Sequence, residues 1–500
     1  MGKAKAKPRV PNAPSSRFRF FCWTVSFLSM AQLLVGLDYI TIWPGGEAKL
    51  LAESGELFVP SSPLSYLLSV LPLPAPYWLL WYRLPGLLLS LAGVVLFYRW
   101  GRVLFGRETV VLSLLAAAAS LYLPVLLKQA TLDVWAFGPL LAAYVALLRY
   151  YKEPRARWRT ATISTGVVAI LSGGLQAILV LVLLWLLLLS LVKGPARLQL
   201  SEQLRVPTLS WAAAALSITV LSMWGPGLIA WDHHFSHPVL SWGHLSFLGG
   251  SLLGMLPLIG FTLAGFRDLG YKVRRHEELS LLLSIGLLAT FLAKSLLFPF
   301  LLAFLTAKQL QAYFRQANYP WKNWVKAAMV LHLIVIFIAV VLSLLGGYAS
   351  FEADGFRAIL GCSAAYWMFS FLGVIGLYGE RRDYVIGGMV LAGSLALLFF
   401  WVQVYPFLEL QRNWPKRLVQ QLEQLEPKPD TLHVAITDTS TVLLPALPYL
   451  QRAGIALSQG EGLPSLELLN PTDSLSTASY PIQLEGWAGL WQELKVGVRK

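Results

Sequence analysis

Long apolar runs recur along the first 405 residues, and they constrain the fold more than any other feature of the chain. A helix needs about 20 predominantly apolar residues to cross a hydrocarbon layer about 30 Å thick. The chain is 56% hydrophobic and 13% charged, whereas soluble domains contain about 25% charged residues. This composition excludes a cytosolic enzyme, a disordered chain and an ordinary nucleic-acid-binding protein. It predicts an all-α polytopic membrane protein.

The apolar runs predict about thirteen transmembrane helices, of which the fifth and sixth are short and are interrupted at 172–174. They are interpreted as two helices because the alternation of basic loops requires an even number of crossings there. The predicted spans are 20–37, 78–98, 109–127, 132–150, 161–173, 175–192, 207–230, 244–266, 279–293, 295–314, 327–348, 358–379 and 384–405.

Lys and Arg are unequally distributed between the two sets of loops. One set contains 27 of them, the other set contains five, and the segment after residue 405 contains the remaining eight. Because basic residues accumulate in cytoplasmic loops, this pattern places the basic N-terminus, residues 1–19, in the cytoplasm. After an odd number of crossings the C-terminus lies outside. The net charge of +14 therefore reflects membrane topology, and no nucleic-acid partner is expected.

Residues 406–500 differ in character from the transmembrane domain at 20–405. They contain ten acidic and eight basic residues, and Pro, Ser and Thr separate short apolar runs. Strands are predicted at 433–436 and around Leu466 and Ile482, and a helix at 446–453. A segment of this size can bury a modest core. We therefore predict a small extracytoplasmic α/β domain, either independent or packed on the membrane domain.

The first outer loop, residues 38–77, is long for a connection between two helices and is rich in acids. Asp38 lies where the first span emerges, and Glu47 begins a run to Glu53 that is typical of an amphipathic helix at the interface. Acids that collect at a membrane surface indicate a functional site if they converge with other polar groups.

The second and later outer loops supply further ionisable residues. Lys128 and Asp133 lie in a very short connection, so the Asp133 carboxylate is at the lip of the bilayer and needs a partner or water. Asp133 is either an N-cap of the fourth span, a catalytic group, or both. Lys294 interrupts an apolar stretch, where its ammonium either meets a phosphate or extends to the interface.

Histidines cluster in the fourth outer loop, where thirteen residues contain Asp232, His233, His234, His237 and His244. Imidazole and carboxylate groups are common ligands of zinc, so the cluster is a candidate site for a divalent metal or for substrate contacts. Adjacent histidines point apart and no HExxH helix is present. Interfacial polar contacts are the alternative, and no cofactor is required by the rest of the sequence.

Several segments resemble the bacterial C-type (GT-C) glycosyltransferases, the family of the lipid A aminoarabinose transferases and protein O-mannosyltransferase relatives. The order of the segments carries the resemblance: 51–60 (LAESGELFVP), 82–85 (YRLP), 98–107, 128–133 (KQATLD), 231–233 (WDH), and Lys294 followed by Phe298 and Pro299. Thirteen spans with an outer C-terminal domain also resemble that architecture. The resemblance implies a multi-pass protein of the bacterial inner membrane, in the cell envelope.

The chain departs from the family pattern at three places. At the positions of the family's acidic pair this chain has Ile40 and Thr41, and the nearest acid, Asp38, lies two residues before them. Its Glu-Lys-Pro segment is replaced by residues 61–66, and its Thr-Lys-Gly-Pro turn by residues 172–175. Two lysines on the phosphate side of the family's site are therefore absent from this sequence.

The resemblance implies transfer of a sugar, with inversion, from a polyprenyl-phosphate carrier to a lipid, glycan or protein acceptor at the outer face. In this chemistry Asp38 would be the base that takes the acceptor proton, with Glu47 as the alternative, and Asp133 would orient the acceptor or the base. The residues expected to face the donor phosphate are Lys294, Lys128 and Arg83.

Two other functions are compatible with a polytopic chain. An inactive scaffold of the same fold is one alternative, because the two family lysines are missing. A transporter is the other, although no pair of broken spans repeats in corresponding halves and no charge lies near a span midpoint.

Overall fold

The computed structural model describes most of the predicted transmembrane domain and short pieces of the rest of the chain. The described residues are 16–35, 62–64, 67, 78–192, 195–224, 242–316, 318–412, 416, 419–420, 431–434, 449–450, 453, 456–459, 479–485 and 491–497. Up to residue 412 the described chain is almost entirely helical, as predicted for an all-α membrane domain. A helix pairs its own backbone groups, which a segment in hydrocarbon requires.

The helices follow one another along the chain with short connections. Their bounds are α1 Ser16–Leu34, α2 Trp78–Phe105, α3 Arg107–Ala119, α4 Leu123–Leu126, α5 Leu132–Lys152, α6 Ala156–Leu191, α7 Pro195–Trp224, α8 Trp242–Gly254, α9 Ile259–Arg274, α10 Glu278–Leu292, α11 Leu297–Arg315, α12 Lys322–Tyr378, α13 Arg382–Phe399 and α14 Tyr405–Arg412. A 3-10 turn, Leu256–Leu258, joins α8 to α9, and a π-helical turn, Phe400–Val404, joins α13 to α14.

Six helical segments of the described part are long and apolar enough to cross a membrane, or seven if the pair bent by 62° between α8 and α9 is one span. The six are Leu79–Phe105, Leu132–Lys152, Ala156–Leu191, Lys322–Ala349, Glu352–Tyr378 and Arg382–Glu409. Each of the thirteen predicted stretches overlaps a helix. The polytopic helical class is therefore confirmed, whereas the count of thirteen crossings stays a prediction.

Helix α6 contains 36 residues and reverses direction at Gly174, which has φ 53° and ψ −132°. A straight helix of this length would be about 54 Å long, far more than the hydrocarbon thickness of about 30 Å. Near its start, the Trp158 ring lies 4.4 Å from the Arg149 guanidinium. Near its end, Leu188 lines a small cavity with Tyr151. Both ends of α6 thus lie beside the same end of α5, and the reversal coincides with the interruption predicted from the sequence.

Helix α12 also folds back on itself. Its 57 residues contain one residue of positive φ, Glu352 at 52°. On either side of this break, His332 Nε2 and the Tyr366 hydroxyl are 2.9 Å apart, and Lys322 pairs with Glu380. The first contact joins the two arms and the second joins the start of α12 to the turn just after its end, so α12 is a helical hairpin.

Helices α2 and α5 touch through their backbones. A Cβ on Gly138 would lie 1.9 Å from the Leu89 carbonyl oxygen, and a Cβ on Gly93 would lie 2.3 Å from the Gly138 Cα. Small residues permit this close approach between helices in membranes. Because α2 carries Arg83 and α5 carries Asp133, the glycine contact sets how the two residues approach each other.

One end of the bundle contains Arg83, Lys128, Asp133 and Lys294 and is called the outer end here, following the charge pattern. At the opposite, inner end the Glu108 carboxylate joins three helices. It accepts hydrogen bonds from Arg315, at the end of α11, and from Arg382, at the start of α13.

The described part of the C-terminal segment contains four strands. Strand β1, Thr431–Val434, pairs in parallel with β2, Ala456–Gln459. Strand β3, Ser479–Glu485, pairs antiparallel with β4, Trp491–Gly497. The predicted strand at 433–436 overlaps β1, and Ile482 lies in β3. Leu466 lies outside the described residues, and a single α/β domain over 406–500 stays a prediction.

Candidate active site

Lys128 is buried at the outer end of the bundle, with a relative exposure of 1%. Its ammonium donates a hydrogen bond to the Val35 carbonyl, just after α1, at 2.7 Å. It also lies 3.6 Å from the centre of the Trp401 ring. A cation over an indole face is electrostatically favourable. In the described part of the chain, no carboxylate is paired with Lys128.

Arg83 lies next to Lys128 and is equally buried, at 1% exposure. Burial, together with a smaller contribution from the neighbouring Arg83 charge, lowers the pKa of Lys128 to about 6. A negative charge placed between the two side chains would oppose both effects and raise the pKa of Lys128. The pair is therefore suited to bind an anion such as a phosphate.

Trp401 is presented to Lys128 by the π-helical turn at 400–404. Such turns widen a helix by one residue and are frequent at functional sites. Trp401 and Tyr405 are both buried, with ring centres 4.9 Å apart, and Val35 and Val125 pack on them. The aromatic pair closes one side of the Lys128 site and excludes water from it.

Asp133 lies in the first turn of α5 but binds a different helix. Its carboxylate accepts hydrogen bonds from the Leu296 N–H, at 2.9 and 3.1 Å, and from the Ser295 hydroxyl, at 3.1 Å. These groups begin α11, where backbone N–H groups have no partner within the helix. The N-cap of α5 is instead Thr131, whose hydroxyl accepts from the Val134 N–H at 3.3 Å. The prediction that Asp133 caps the fourth span was therefore wrong, because the Thr131 hydroxyl occupies that position.

Lys294 lies in the tight turn between α10 and α11. Its φ is 51°, in the left-handed region, and its N–H donates to the Phe291 carbonyl at 2.9 Å. The Ser295 N–H donates to the Thr290 carbonyl at 2.8 Å, which completes a Schellman motif. In the described part of the chain, no hydrogen bond or ion pair joins the Lys294 side chain to another residue.

Two further side chains bind the carbonyl groups at the end of α10. Gln176, two residues after the reversal of α6, donates from Nε2 to the Ala293 carbonyl at 2.6 Å. His244, near the start of α8, lies with Nε2 3.1 Å from the Leu292 carbonyl. Because a carbonyl only accepts, the His244 Nε2 carries the proton. The sequence pattern alone indicates His244 as a candidate metal ligand, whereas in the structure it binds a backbone carbonyl.

An apolar cavity of about 570 Å³ lies between helices α1, α2, α3, α4 and α5. Leu33, Leu87 and Leu127 line its outer end, and Cys22 and Tyr98 line its inner end. Leu127 precedes Lys128, Leu87 lies one turn after Arg83, and Leu33 lies two residues before Val35. The two buried cations therefore flank the outer end of the cavity.

The cavity is reached from the lipid-facing side of the bundle. Trp23 lines it and is 76% exposed, and Met30 lines it and is also exposed. Gln32, beside Leu33, is fully buried, and both its amide atoms lack a partner in the described structure. Long apolar chains of membrane lipids have lateral access to a space of this kind.

The structure brings four of the predicted site residues to one end of the bundle. Arg83 and Lys128 are neighbours, and Asp133 binds the turn that carries Lys294. Lys128, in the α4–α5 connection, and Asp133, in the first turn of α5, are five residues apart, which links the two pairs. The other predicted site residues lie outside the described residues; they are Asp38, Glu47, Asp232, His233, His234 and His237.

Among the described residues, no group of three or more His, Cys, Asp or Glu side chains is arranged to hold a metal ion. The predicted ligands at 232–237 are not among those residues, so metal binding there stays a prediction. Trp401 and Gln176 had no signal in the sequence, since each acts through a contact with a distant segment.

No protein-family model matches the sequence, and the search of curated proteins finds no match. The apo structure of ArnT from Cupriavidus metallidurans matches with a TM-score of 0.63 and 17% identity, covering 89% of this chain and 87% of that one. The same protein bound to undecaprenyl phosphate matches with a TM-score of 0.58 and 17% identity, covering 89% and 90%.

A weaker similarity is found to the apo oligosaccharyltransferase of Archaeoglobus fulgidus, with a TM-score of 0.41 and 13% identity, covering 87% of this chain and 65% of that one. The chain thus has the fold of ArnT over most of its length. The resemblance to the C-type glycosyltransferases that the sequence motifs indicated is confirmed at the level of the fold.

Proposed function

We propose that this protein is an integral-membrane glycosyltransferase of the inner membrane, which moves a sugar from a polyprenyl-phosphate carrier to an acceptor at the outer face. The observation that carries the proposal is the position of two buried basic side chains, Arg83 and Lys128, at the outer end of an apolar cavity that lipids can reach. A polyprenyl phosphate combines an anionic head with a long apolar chain and is complementary to this arrangement.

The ligand of a structural neighbour supports the same donor class. ArnT from Cupriavidus metallidurans was crystallised with undecaprenyl phosphate, and this chain shares its fold. At 17% identity the two proteins share a fold, and the specific argument for this donor class is the pair of basic side chains beside the apolar cavity of this chain. The proposed topology has thirteen crossings, a cytoplasmic N-terminus and an extracytoplasmic α/β domain at 406–500.

The proposed reaction inverts the anomeric carbon of the sugar. The Asp38 carboxylate, or Glu47 in its place, takes the proton of the acceptor hydroxyl as the new C–O bond forms. The bond between the anomeric carbon and the phosphate oxygen breaks, and the polyprenyl phosphate leaves with the electron pair. Arg83, Lys128 and Lys294 stabilise the charge that develops on this phosphate.

An inactive scaffold is the second candidate, and one observation favours it. The Lys128 ammonium is already engaged by the Val35 carbonyl and the Trp401 ring, so a phosphate would have to compete with both. A scaffold of this kind would bind a lipid without transferring a sugar.

Two measurements test the proposal. Membrane vesicles containing the full chain are supplied with polyprenyl-phosphate-linked sugars, and release of the free carrier phosphate is followed for the parent and for Asp38→Asn. We expect release by the parent and a loss of at least about a hundredfold in the variant. Release that is unaffected in Asp38→Asn refutes the assigned base and moves the role to Glu47.

Envelope glycoconjugates from cells with and without the gene identify the acceptor. A mass difference of one sugar in a lipid, glycan or protein fraction is expected. If the envelope is unchanged and purified protein still binds undecaprenyl phosphate, the scaffold is favoured over the enzyme.

A further inference from the structure

The turn at residues 292–296, called the Lys294 turn, is held from outside by three helices that are distant in sequence. We infer that Asp133, Gln176 and His244 are positioning residues that fix this turn so that the Lys294 ammonium is held ready for the donor phosphate. The inference rests on the proposed function, in which Lys294 contacts that phosphate. It assigns Asp133 a role through the backbone of another helix, in place of contact with the reacting groups.

Each positioning residue occupies a different backbone group of the Lys294 turn. Gln176 on α6 binds the Ala293 carbonyl at 2.6 Å, and His244 on α8 binds the Leu292 carbonyl at 3.1 Å. Asp133 on α5 accepts the Leu296 N–H at 2.9 Å. The backbone groups on both sides of Lys294 are therefore fixed by side chains from α5, α6 and α8.

The Schellman motif alone does not require these contacts. Its two internal hydrogen bonds already close α10, and glycine is the residue that adopts the left-handed conformation at lowest cost. A lysine in that position is conformationally disfavoured, and such residues persist only where the surroundings over-determine them. Here the three side chains from other helices hold the backbone of Lys294 in this conformation.

The other left-handed residues of the described chain show what is particular about Lys294. His276, Glu352 and Glu380 also have positive φ, and all three are exposed. Lys294, in contrast, is the one residue between 293 and 307 that is not buried. Among the four left-handed residues other than glycine in the described chain, only Lys294 presents a charged side chain from an otherwise enclosed segment.

The Lys294 side chain is free to bind an anion. No ion pair or hydrogen bond engages it within the described residues, whereas the carboxylate of Asp133 is committed to Leu296 and Ser295. A cation whose backbone is fixed loses less conformational freedom on binding than one on a mobile loop. The three contacts therefore raise the affinity of the site for phosphate without touching the ligand.

A double-mutant cycle tests this inference, with undecaprenyl phosphate as the probe and full-length protein in lipid vesicles. We expect Lys294→Gln to weaken binding about tenfold, because it removes a charge-assisted contact. Gln176→Met keeps the side-chain length and removes the donor, and it should weaken binding about fivefold. In the Lys294→Gln background the same change should alter the Kd by less than about twofold, because its effect acts through Lys294.

A purely structural role gives a different result. If Gln176→Met causes the same loss of affinity in both backgrounds, the positioning inference is overturned, while the glycosyltransferase proposal stands. If Lys294→Gln binds undecaprenyl phosphate as tightly as the parent, both the inference and the phosphate role of Lys294 are refuted. Undecaprenol, which lacks the phosphate, should bind all variants with the same Kd.

A second pair of variants keeps the test decisive if Gln176→Met does not fold. His244→Gln retains a donor for the Leu292 carbonyl and should keep the parent Kd. His244→Leu removes the donor, and it should weaken binding when Lys294 is present but not in the Lys294→Gln protein. Gln309→Met is the matched control, because Gln309 donates to Asp268 at the inner end, at 2.8 Å. It should lower the unfolding temperature and leave the Kd unchanged.

Discussion

The Asp133 carboxylate and the Leu296 backbone N–H are 163 residues apart in the chain and are joined at 2.9 Å. This contact places the first turn of α5 against the first turn of α11. A carboxylate at a helix N-terminus satisfies unpaired N–H groups and interacts favourably with the helix dipole. Asp133 is thereby an N-terminal cap supplied by a neighbouring helix.

Replacing Asp133 distinguishes this capping role from a chemical one. Asp133→Asn keeps an oxygen that accepts from Leu296, so it should retain most of the stability and most of the undecaprenyl phosphate binding. Asp133→Ala leaves the Leu296 N–H and the Ser295 hydroxyl without this acceptor and should cost about 2 kcal/mol. Thermal unfolding of the purified protein measures the difference. Equal destabilisation by both changes would contradict the capping role.

Lys128 predicts how stability depends on pH. Burial holds the pKa of Lys128 near 6 in the folded protein, well below its value in an unfolded chain. Between these two values the unfolded state binds more protons, so this residue makes stability rise as pH increases above about 6. The unfolding temperature of the parent should therefore gain on that of Lys128→Met from pH 6.5 to about 9. Lys326→Met, at a partly exposed position of the inner end, should show no such gain.

The same residue predicts that donor binding takes up a proton. A phosphate beside Lys128 restores the ammonium, so the affinity for undecaprenyl phosphate should fall as pH rises above about 6. Binding measured in two buffers of different ionisation enthalpy reports the proton uptake. A pH-independent Kd in the parent would show that the phosphate does not reach Lys128.

The contacts of Glu108 with two arginines at the inner end should weaken in acid. Burial alone would raise the pKa of Glu108, but Arg382, Gln311 and Arg315 together hold it below its usual value. Its stabilising contribution is thus complete above the ordinary pKa of a glutamate and is lost as pH falls through the lowered one. Glu108→Gln should cost about 1 kcal/mol at pH 7, since the arginines are partly exposed. The cost should shrink as the pH falls below the ordinary pKa of a glutamate, as followed by thermal unfolding.

A side chain at position 138 should disturb the active site sterically. In Gly138→Ala the new Cβ would lie 1.9 Å from the Leu89 carbonyl oxygen, so α2 and α5 must separate. We expect a loss of at least about 2 kcal/mol and weaker undecaprenyl phosphate binding, because Arg83 moves with α2. Gly387→Ala is the control, since no atom lies within 4 Å of its Cβ and an alanine favours the helix. It should preserve or raise the unfolding temperature.

The helices could be predicted from the sequence because hydrocarbon leaves the backbone few alternatives. Apolar runs located the helices, and the Ser172–Gly174 interruption located the reversal of α6, since glycine alone adopts the conformation of Gly174 easily. The hairpin of α12 was also predicted as two spans, although the helix continues closer to Glu352 than expected.

The candidate site was only partly predictable. Lys128, Arg83, Asp133 and Lys294 stand out in a sequence because charges near apolar runs are rare. Their partners do not stand out. The contact of Lys128 with Trp401 depends on a π-helical turn, and the role of Asp133 depends on the approach of α11, which single-sequence patterns do not encode.

The reversal at Gly174 also fixes the rotation of the returning arm of α6 about its own axis. Gln176 follows it by two residues, so its amide reaches Ala293 only because the returning arm of α6 starts with a fixed rotation about its axis. Each residue inserted after Gly174 would turn that arm by about 100° and swing the amide away from the Lys294 turn. Spacing at this glycine is thus as consequential as the identity of the glutamine.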